Sequence, residues 1–326
     1  MNRVSIPLLG ALLVIQVLLA VALSMSGRDF GAYQTEERLL PVDTAKVNGL
    51  FIQDSEQRSV TLQRKEGKWA LPDIGDFPAE HDRTQALIDK LTGFTKGWPV
   101  ATTQEAAERF KVTDDNFERK IQLEDGDTPL VTLYLGTSPG FRKIHARVAG
   151  DKNIYAIEMG TYEAQATVAS WENKDFLKLT SDHLKQVDIA GMTVQWDGEK
   201  PALADLKEGE VLDETKANDL IHAVLTVPFQ SVLGKTQPEA MGDKPVFSFK
   251  LTLKSGNERV YDFYKPKEGD GHILKVSEFP FYFKVSDFTF EELKGYNRES
   301  LLKSADEEKT EGAATETQIE KAGDSN

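Results

Sequence analysis

The feature that most constrains this chain is an uncharged run of 20 residues near its N-terminus, from Ile6 to Met25. A helix of that length rises about 30 Å, the thickness of the hydrocarbon core of a bilayer, and it satisfies its own backbone polar groups in lipid. Arg3 precedes the run, whereas the charges of Arg28 and Asp29 after it cancel. The positive-inside rule therefore favours a cytoplasmic N-terminus, with the bulk of the chain across the membrane.

A cleaved signal peptide is the alternative interpretation of this segment. Such a peptide has an apolar stretch of about 7–15 residues that ends in a small-x-small cleavage site. Ala20-Val21-Ala22 and Ser24-Met25-Ser26 both fit such a site loosely. The length of the run favours an uncleaved anchor, and both interpretations export the body of the protein.

Composition excludes several classes of protein. The chain carries 39 Lys and Arg against 53 Asp and Glu, which gives a formal net charge of −14. An acidic surface argues against a nucleic-acid partner, because a phosphate backbone attracts basic proteins. The absence of Cys excludes disulfides, thiolate metal sites and a Cys nucleophile. An apolar content of 40% is enough for packed cores.

Hydrophobic periodicity predicts mixed secondary structure beyond the linker. Val60–Gln63 alternates apolar and polar residues, and Trp69–Leu71 follows a Gly turn, which is typical of a hairpin. Apolar residues at helical spacing then predict a helix, for which Asp82 is a candidate N-cap. Four further strands are predicted over 121–124, 131–135, 144–148 and 154–157.

The same order of patterns recurs in the second half of the chain. Met192–Gln195 matches Val60–Gln63, and the matches continue in order at an offset that drifts from about 133 to about 124 residues. We therefore predict an α+β fold with an N-terminal transmembrane helix and two tandem repeated units. Each unit would hold a hairpin, a helix and an antiparallel meander.

These patterns divide the chain into five segments. Residues 303–326 carry many charges and little apolar surface, so we predict a disordered acidic tail there. The predicted segments are the cytoplasmic N-terminus and anchor at 1–26, a linker at 27–42, the first unit at 43–178, the second unit at 179–302, and the tail.

A search for catalytic motifs favours no enzyme. No pair of the five His residues has the spacing of a helical zinc site. Ser138 lies in the sequence Gly136-Thr137-Ser138-Pro139-Gly140, which superficially matches a nucleophile elbow. However, Pro139 lacks the backbone N–H that an oxyanion hole would use, and a strand follows, so we interpret the segment as a loop between strands. We predict no catalytic residue, no cofactor and no metal site.

One strand departs from the acidic background. Alternation over residues 142–148 places Lys143, His145 and Arg147 on one face. Three basic groups on one face are a candidate site for an anion or an acidic partner. The alternative is a solvated sheet face whose charges only discourage edge pairing.

Several segments together resemble a known family. They are the apolar N-terminal run, Gly67–Leu71, Arg109–Thr113, Leu135–Arg142 with the basic residues after it, and Trp171 before Asn173-Lys174. This set resembles the uncharacterised bacterial family called domain of unknown function 4340, over most of residues 45–300. The resemblance implies a membrane-anchored protein outside the cytoplasm, often encoded beside ABC-type transporters of the gliding-motility-auxiliary kind. No catalytic residues follow from the resemblance, because the family has none established.

We therefore expect a single-pass protein of the bacterial inner membrane whose body lies in the periplasm. The expected function is a non-enzymatic accessory or scaffold subunit of an ABC-type envelope transport system, with permease or auxiliary subunits as partners. The alternatives are a binding module for an anionic envelope ligand, either lipid or glycan, and a hydrolase with an unrecognised acidic pair.

Overall fold

The computed structural model of the protein describes Gly10, residues 13–17 and residues 37–303. Most of the predicted anchor and the predicted acidic tail after Lys303 lie outside the described residues. Among the residues that are described, no helix is long and apolar enough to cross a membrane.

The strands of residues 49–157 form one antiparallel sheet of eight strands, in the order β4-β3-β2-β1-β5-β6-β7-β8. The predicted hairpin is formed by β2 and β3, with Gln63 opposite Ala70. Val60 and Leu62 of β2 are fully buried, as alternation requires for a half-buried strand. The strands are β1 (Gly49–Asp54), β2 (Ser59–Lys65), β3 (Lys68–Leu71), β4 (Phe77–Pro78), β5 (Arg119–Asp125), β6 (Thr128–Leu135), β7 (Ile144–Val148) and β8 (Tyr155–Ile157).

Two helices lie between β4 and β5 in the chain. Helix α1 (His81–Gly93) is the predicted helix, and its Leu91 is fully buried. Because α1 begins at His81, Asp82 lies inside the first turn, and the prediction that Asp82 is the N-cap is wrong. Helix α2 (Gln104–Arg109) begins after Thr103, whose side chain accepts a hydrogen bond from the Ala106 amide.

The strands of residues 184–285 form a second antiparallel sheet of eight strands, in the order β11-β10-β9-β13-β14-β15-β16-β12. Helix α3 (Glu214–Leu225) is capped by Asp213, and helix α4 (Asp287–Gly295) is capped by Ser286. The strands are β9 (Leu184–Ile189), β10 (Met192–Trp196), β11 (Pro201–Leu203), β12 (Ser231–Gly234), β13 (Phe247–Leu253), β14 (Glu258–Tyr264), β15 (His272–Val276) and β16 (Tyr282–Val285).

The two sheets share a strand order. Read in the same direction, β3-β2-β1-β5-β6-β7-β8 in the first sheet corresponds to β11-β10-β9-β13-β14-β15-β16 in the second. The extra strands β4 and β12 join opposite ends of this common order. The fold is thus a mixed one, with two antiparallel sheets and few helices.

The described residues group into two compact units. The first contains the chain up to Arg58 together with Gln85–Ala166, and the second contains Ser59–Thr84 together with the chain from Thr167. Part of the core of the first unit is formed by Val112, Phe117 and Tyr134. The core of the second includes an aromatic cluster around Phe77, whose ring centroid lies 5.0 Å from that of Phe281. The predicted boundary between residues 178 and 179 stays a prediction.

Candidate functional site

The predicted basic face lies on β7 of the first unit, and its three members have different surroundings. Lys143 is exposed just before the strand, whereas His145 is only 6% exposed. Arg147 is half-buried. The three residues therefore do not form one exposed cationic surface.

The His145 ring is packed inside the unit. It stacks on Phe110, with ring centroids 3.9 Å apart and an interplanar angle of 10°. Its Nδ1 atom lies 3.0 Å from the hydroxyl oxygen of Thr137. Burial lowers the pKa of His145 below its ordinary value of 6.5, and the positive charge of Arg109 lowers it further. His145 is therefore neutral at pH 7 and adds no charge to an anion site.

The guanidinium of Arg147 is committed to partners within the unit. It donates hydrogen bonds to the carbonyl oxygens of Val112 and Asp151 and forms an ion pair with Asp114. It also lies 5.1 Å from the centroid of the Tyr134 ring. These contacts position the segment before β5 against β7, and they leave Lys143 as the member of the predicted set that faces solvent.

Lys143 lines an open cleft of about 950 Å³ in the first unit. One wall is the loop from Gly136 to Lys143, which connects β6 to β7, and another is the segment from Glu158 to Glu163, which follows β8. Lys90 of α1 also lines the cleft. The cleft therefore lies at the ends of neighbouring strands, where loops present side chains on a rigid sheet.

The Ser138 hydroxyl forms hydrogen bonds within the loop that makes the first wall of the cleft. Its oxygen lies 2.7 Å from the carbonyl oxygens of both Gly140 and Lys143, so the single hydroxyl proton is shared between them. The nearby imidazole of His145 bonds to Thr137 instead. A nucleophilic Ser needs a base that accepts its proton, and the geometry here gives Ser138 a structural role in the loop.

The tip of this wall presents Phe141 and Arg142. The Lys143 amide donates to the Gly140 carbonyl oxygen at 3.2 Å, and the turn leaves the Phe141 side chain 86% exposed. Arg142 has a φ of 55°, in the left-handed region that side chains with a Cβ atom rarely adopt. Its guanidinium carbon lies 4.9 Å from the centroid of the Phe141 ring.

The second wall presents Tyr162, which is 70% exposed. The preceding Gly160 has no room for a side chain, since a Cβ atom there would lie 2.3 Å from the Tyr162 ring. Glu163 accepts a hydrogen bond from the Gly160 amide at 3.0 Å and forms an ion pair with Lys90. The Tyr162 ring thus lies close to the backbone of Gly160, whose amide is bonded to Glu163.

The charges in the cleft fall into paired and unpaired groups. Lys90 pairs with Glu163, and Glu118 pairs with Lys111 outside the cleft. Within residues 37–303, the structure gives no ion pair to the three remaining charged residues of the cleft, which are Arg142, Lys143 and Glu158. The cleft thus offers two cations, one carboxylate and two aromatic rings. No group of three or more metal-ligating side chains occurs among the residues that the structure describes.

The sequence prediction found only part of this site. It included Lys143 but omitted Phe141, Arg142, Glu158 and Tyr162. A local signal existed for the first two, because an aromatic and a basic residue directly follow Gly140 in a loop. Glu158 and Tyr162 carry no such signal, since they reach the cleft only through the pairing of β7 with β8.

The fold contains both helices and strands and is built on two antiparallel sheets. Its open cleft is bounded by loops and presents aromatic and charged side chains. Among protein families, the model described as Domain of unknown function (DUF4340) matches residues 69–245. This match covers more than half of the chain and includes every cleft residue named above, so the chain belongs to that family. Neither a curated protein nor a solved structure matches this chain.

Proposed function

We propose that this protein is a non-enzymatic accessory or scaffold subunit of an ABC-type envelope transport system. Residues 1–26 would anchor it in the bacterial inner membrane with the N-terminus in the cytoplasm, and the body would lie in the periplasm. The observation that carries the proposal is membership in the family, because the resemblance implies membrane anchoring and an association with such transporters. The uncharged run from Ile6 to Met25 supports the anchor.

The structure of the body is consistent with a binding role. Ser138 is held by carbonyl oxygens, and the described surface presents exposed aromatic and cationic side chains in a cleft. Aromatic and Arg side chains contribute much of the energy of binding interfaces. A transport partner would therefore contact loops of this kind.

We further propose that the body arose by tandem duplication. The support is the strand order common to the two sheets, together with the sequence matches that keep their order along the chain. The second copy has no counterpart of the Arg142-Lys143 pair before β7, since Gly269-Asp270-Gly271 precedes the corresponding strand β15. The cleft would then be a specialisation of the first copy.

Crosslinking and co-purification test the accessory role. The tagged full chain would be crosslinked in membranes, solubilised in detergent and purified beside an equally tagged unrelated single-pass membrane protein. We expect an ATPase and a multispan permease to be recovered with this protein and to be absent from the control. Recovery of the protein alone would contradict the proposal.

A second candidate function is a binding module for an anionic envelope ligand. The observation that favours it is the pair of cations, Arg142 and Lys143, at the rim of a cleft that is large enough for a small ligand. Of the three predicted residues, this candidate function uses Lys143, which precedes β7, and does not use His145 or Arg147. Ligand-dependent shifts in the melting temperature of the full chain would test this function.

A further inference from the structure

We propose that the cleft binds an acidic oligosaccharide whose sugar units carry carboxylates, a hexuronate oligomer. This inference rests on the second candidate function, the binding module, and names the class of its ligand. It is carried by three features of the cleft: its exposed aromatic rings, its unpaired charges and its strained turn.

The aromatic rings provide flat apolar surfaces at an open site. Phe141 and Tyr162 are 86% and 70% exposed, and both line the same cleft. Large aromatic side chains normally bury most of their surface, so two exposed rings that line one cleft indicate a surface that a ligand covers. A pyranose ring has C–H groups on its faces and hydroxyl groups at its edge. It can therefore cover an aromatic ring while its edge remains hydrogen-bonded.

The charges favour a ligand that carries both acid and hydroxyl groups. Arg142 and Lys143 can form charge-assisted hydrogen bonds with a carboxylate, and the Arg fork can do so with two parallel bonds. Glu158 in the same cleft only accepts hydrogen bonds, which sugar hydroxyls donate. The headgroup of phosphatidylglycerol is also anionic, but it has no ring that would cover Phe141 and Tyr162.

The turn holds one of the cations at a cost in free energy. Arg142 adopts a left-handed φ of 55°, which glycine would adopt without strain. Strained backbone of this kind persists where the surrounding structure fixes it, and it is concentrated at binding sites. In this loop the hydroxyl of Ser138 fixes the turn by its contacts with Gly140 and Lys143. The guanidinium of this strained residue lies 4.9 Å from the centroid of the Phe141 ring, and both residues line the cleft.

The dimensions of the cleft fit an oligomer. Its volume of about 950 Å³ lies at the upper end of the range for small-molecule sites, and the cleft is open to solvent. A single ion would leave both aromatic rings uncovered. A chain of sugar units can contact the rings and the charged groups at once.

The test measures binding of defined probes by the full chain in detergent micelles. The probes are the trimers of galacturonate, glucuronate and mannuronate, each paired with its neutral methyl ester. We expect at least one acid trimer to bind about tenfold or more tightly than its ester, because the ester cannot form the charge-assisted bonds. Arg142→Gly and Tyr162→Ala should each weaken that binding by about tenfold.

The matched control is Phe288→Ala, which removes an exposed aromatic side chain of α4 in the second unit, 79% exposed in the structure. This variant should bind the trimers as the natural chain does. Equal binding of acids and esters, or no binding of any of the three acid trimers, would overturn the inference.

A lipid arm separates this inference from the functions on which it rests. Vesicles of phosphatidylglycerol that bind through Arg142 and Tyr162, without binding of the trimers, would keep the binding module and overturn the sugar assignment. If neither the trimers nor the vesicles bind in a way that depends on Arg142, the proposed binding function is overturned as well. The accessory role is decided separately by co-purification of the transporter subunits.

Discussion

The hydroxyl oxygen of Ser138 lies 2.7 Å from the carbonyl oxygen of Lys143. This contact spans the loop between β6 and β7 and closes the turn that presents Phe141 and Arg142 to the cleft. A residue whose sequence context superficially matches a nucleophile thus shapes a loop that lines the cleft. Its neighbour Pro139 fits that role, because a fixed φ restricts the loop.

Substitution of Ser138 by Ala should loosen this turn. The variant loses the hydroxyl that donates to the Gly140 and Lys143 carbonyl oxygens and accepts from the Gly140 amide. Because these contacts are exposed, we expect the free energy of unfolding to fall by about 1 kcal/mol. Hydrogen exchange at the Lys143 amide, which donates to Gly140, should accelerate. Ser138→Thr keeps the hydroxyl and is the control. Unchanged exchange in the Ala variant would contradict the structural role.

Replacement of Arg142 by Gly should leave the stability of the protein about unchanged. Relief of the left-handed backbone gains about 1 kcal/mol, and the greater freedom of glycine in the unfolded chain offsets most of it. Phe141→Gly, at a neighbouring position without a positive φ, is the matched control and should lose about 0.5–1 kcal/mol. Thermal melting of both variants compares them. Equal destabilisation of the two would show that the turn at Arg142 is unstrained.

Mild acid should destabilise the fold through two buried histidines. His145 stacks on Phe110 and His272 stacks on Phe290, and burial lowers the pKa of each below 6.5. For His272, Lys265 lowers the pKa further, while Asp287 and Glu291 raise it. The unfolded chain therefore binds protons first as the pH falls.

The sign of this effect is fixed by the depressed pKa values. Stability is complete above the unfolded value of 6.5 and is lost as the pH falls from there toward the folded values. Urea denaturation at a series of pH values measures this loss. The variants His145→Phe and His272→Phe should each make it smaller, and an unaltered pH dependence in both would contradict the account.

Loss of the Glu172 carboxylate should destabilise the second unit severely. The side chain is 1% exposed, and it accepts hydrogen bonds from the Val232 amide at 2.9 Å and from the Lys174 ammonium at 2.6 Å. Glu172→Ala leaves the amide of β12 unpaired, so we expect a loss of about 3 kcal/mol. Glu172→Gln keeps a carbonyl oxygen that can accept a hydrogen bond from the Val232 amide, so it should lose less than Glu172→Ala. Equal losses of the two variants in a denaturation series would contradict this assignment.

Sequence patterns predict the elements that form between residues close together in the chain. The hairpin of β2 and β3 and the helix α1 follow from alternation and helical spacing. Strand β1 was not predicted, because its pairing partner β5 lies about 70 residues away and Leu50 contacts Leu123 only in the folded sheet. Strand β12 likewise joins the second sheet through β16, at Val232 opposite Phe283.

The candidate site was partly predictable for the same reason. Alternation predicts that His145 lies on the face opposite Ile144 and Ala146, but all three residues are buried. It could not show that Phe110 and Asp114, from an earlier segment, contact His145 and Arg147. The left-handed turn at Arg142 and the approach of Tyr162 to the cleft depend on backbone geometry that no periodicity records. Long-range packing decided which charges remain exposed.

We propose that a membrane anchor holds the body on the outer side of the inner membrane, and protease treatment of intact spheroplasts tests this proposal most directly. We expect the body to be degraded in intact spheroplasts and the protein to remain in the membrane fraction after an alkaline carbonate wash. A cytoplasmic protein in the same cells, protected until lysis, is the control. Protection of the body until the spheroplasts are lysed, or its release by carbonate, would contradict the account.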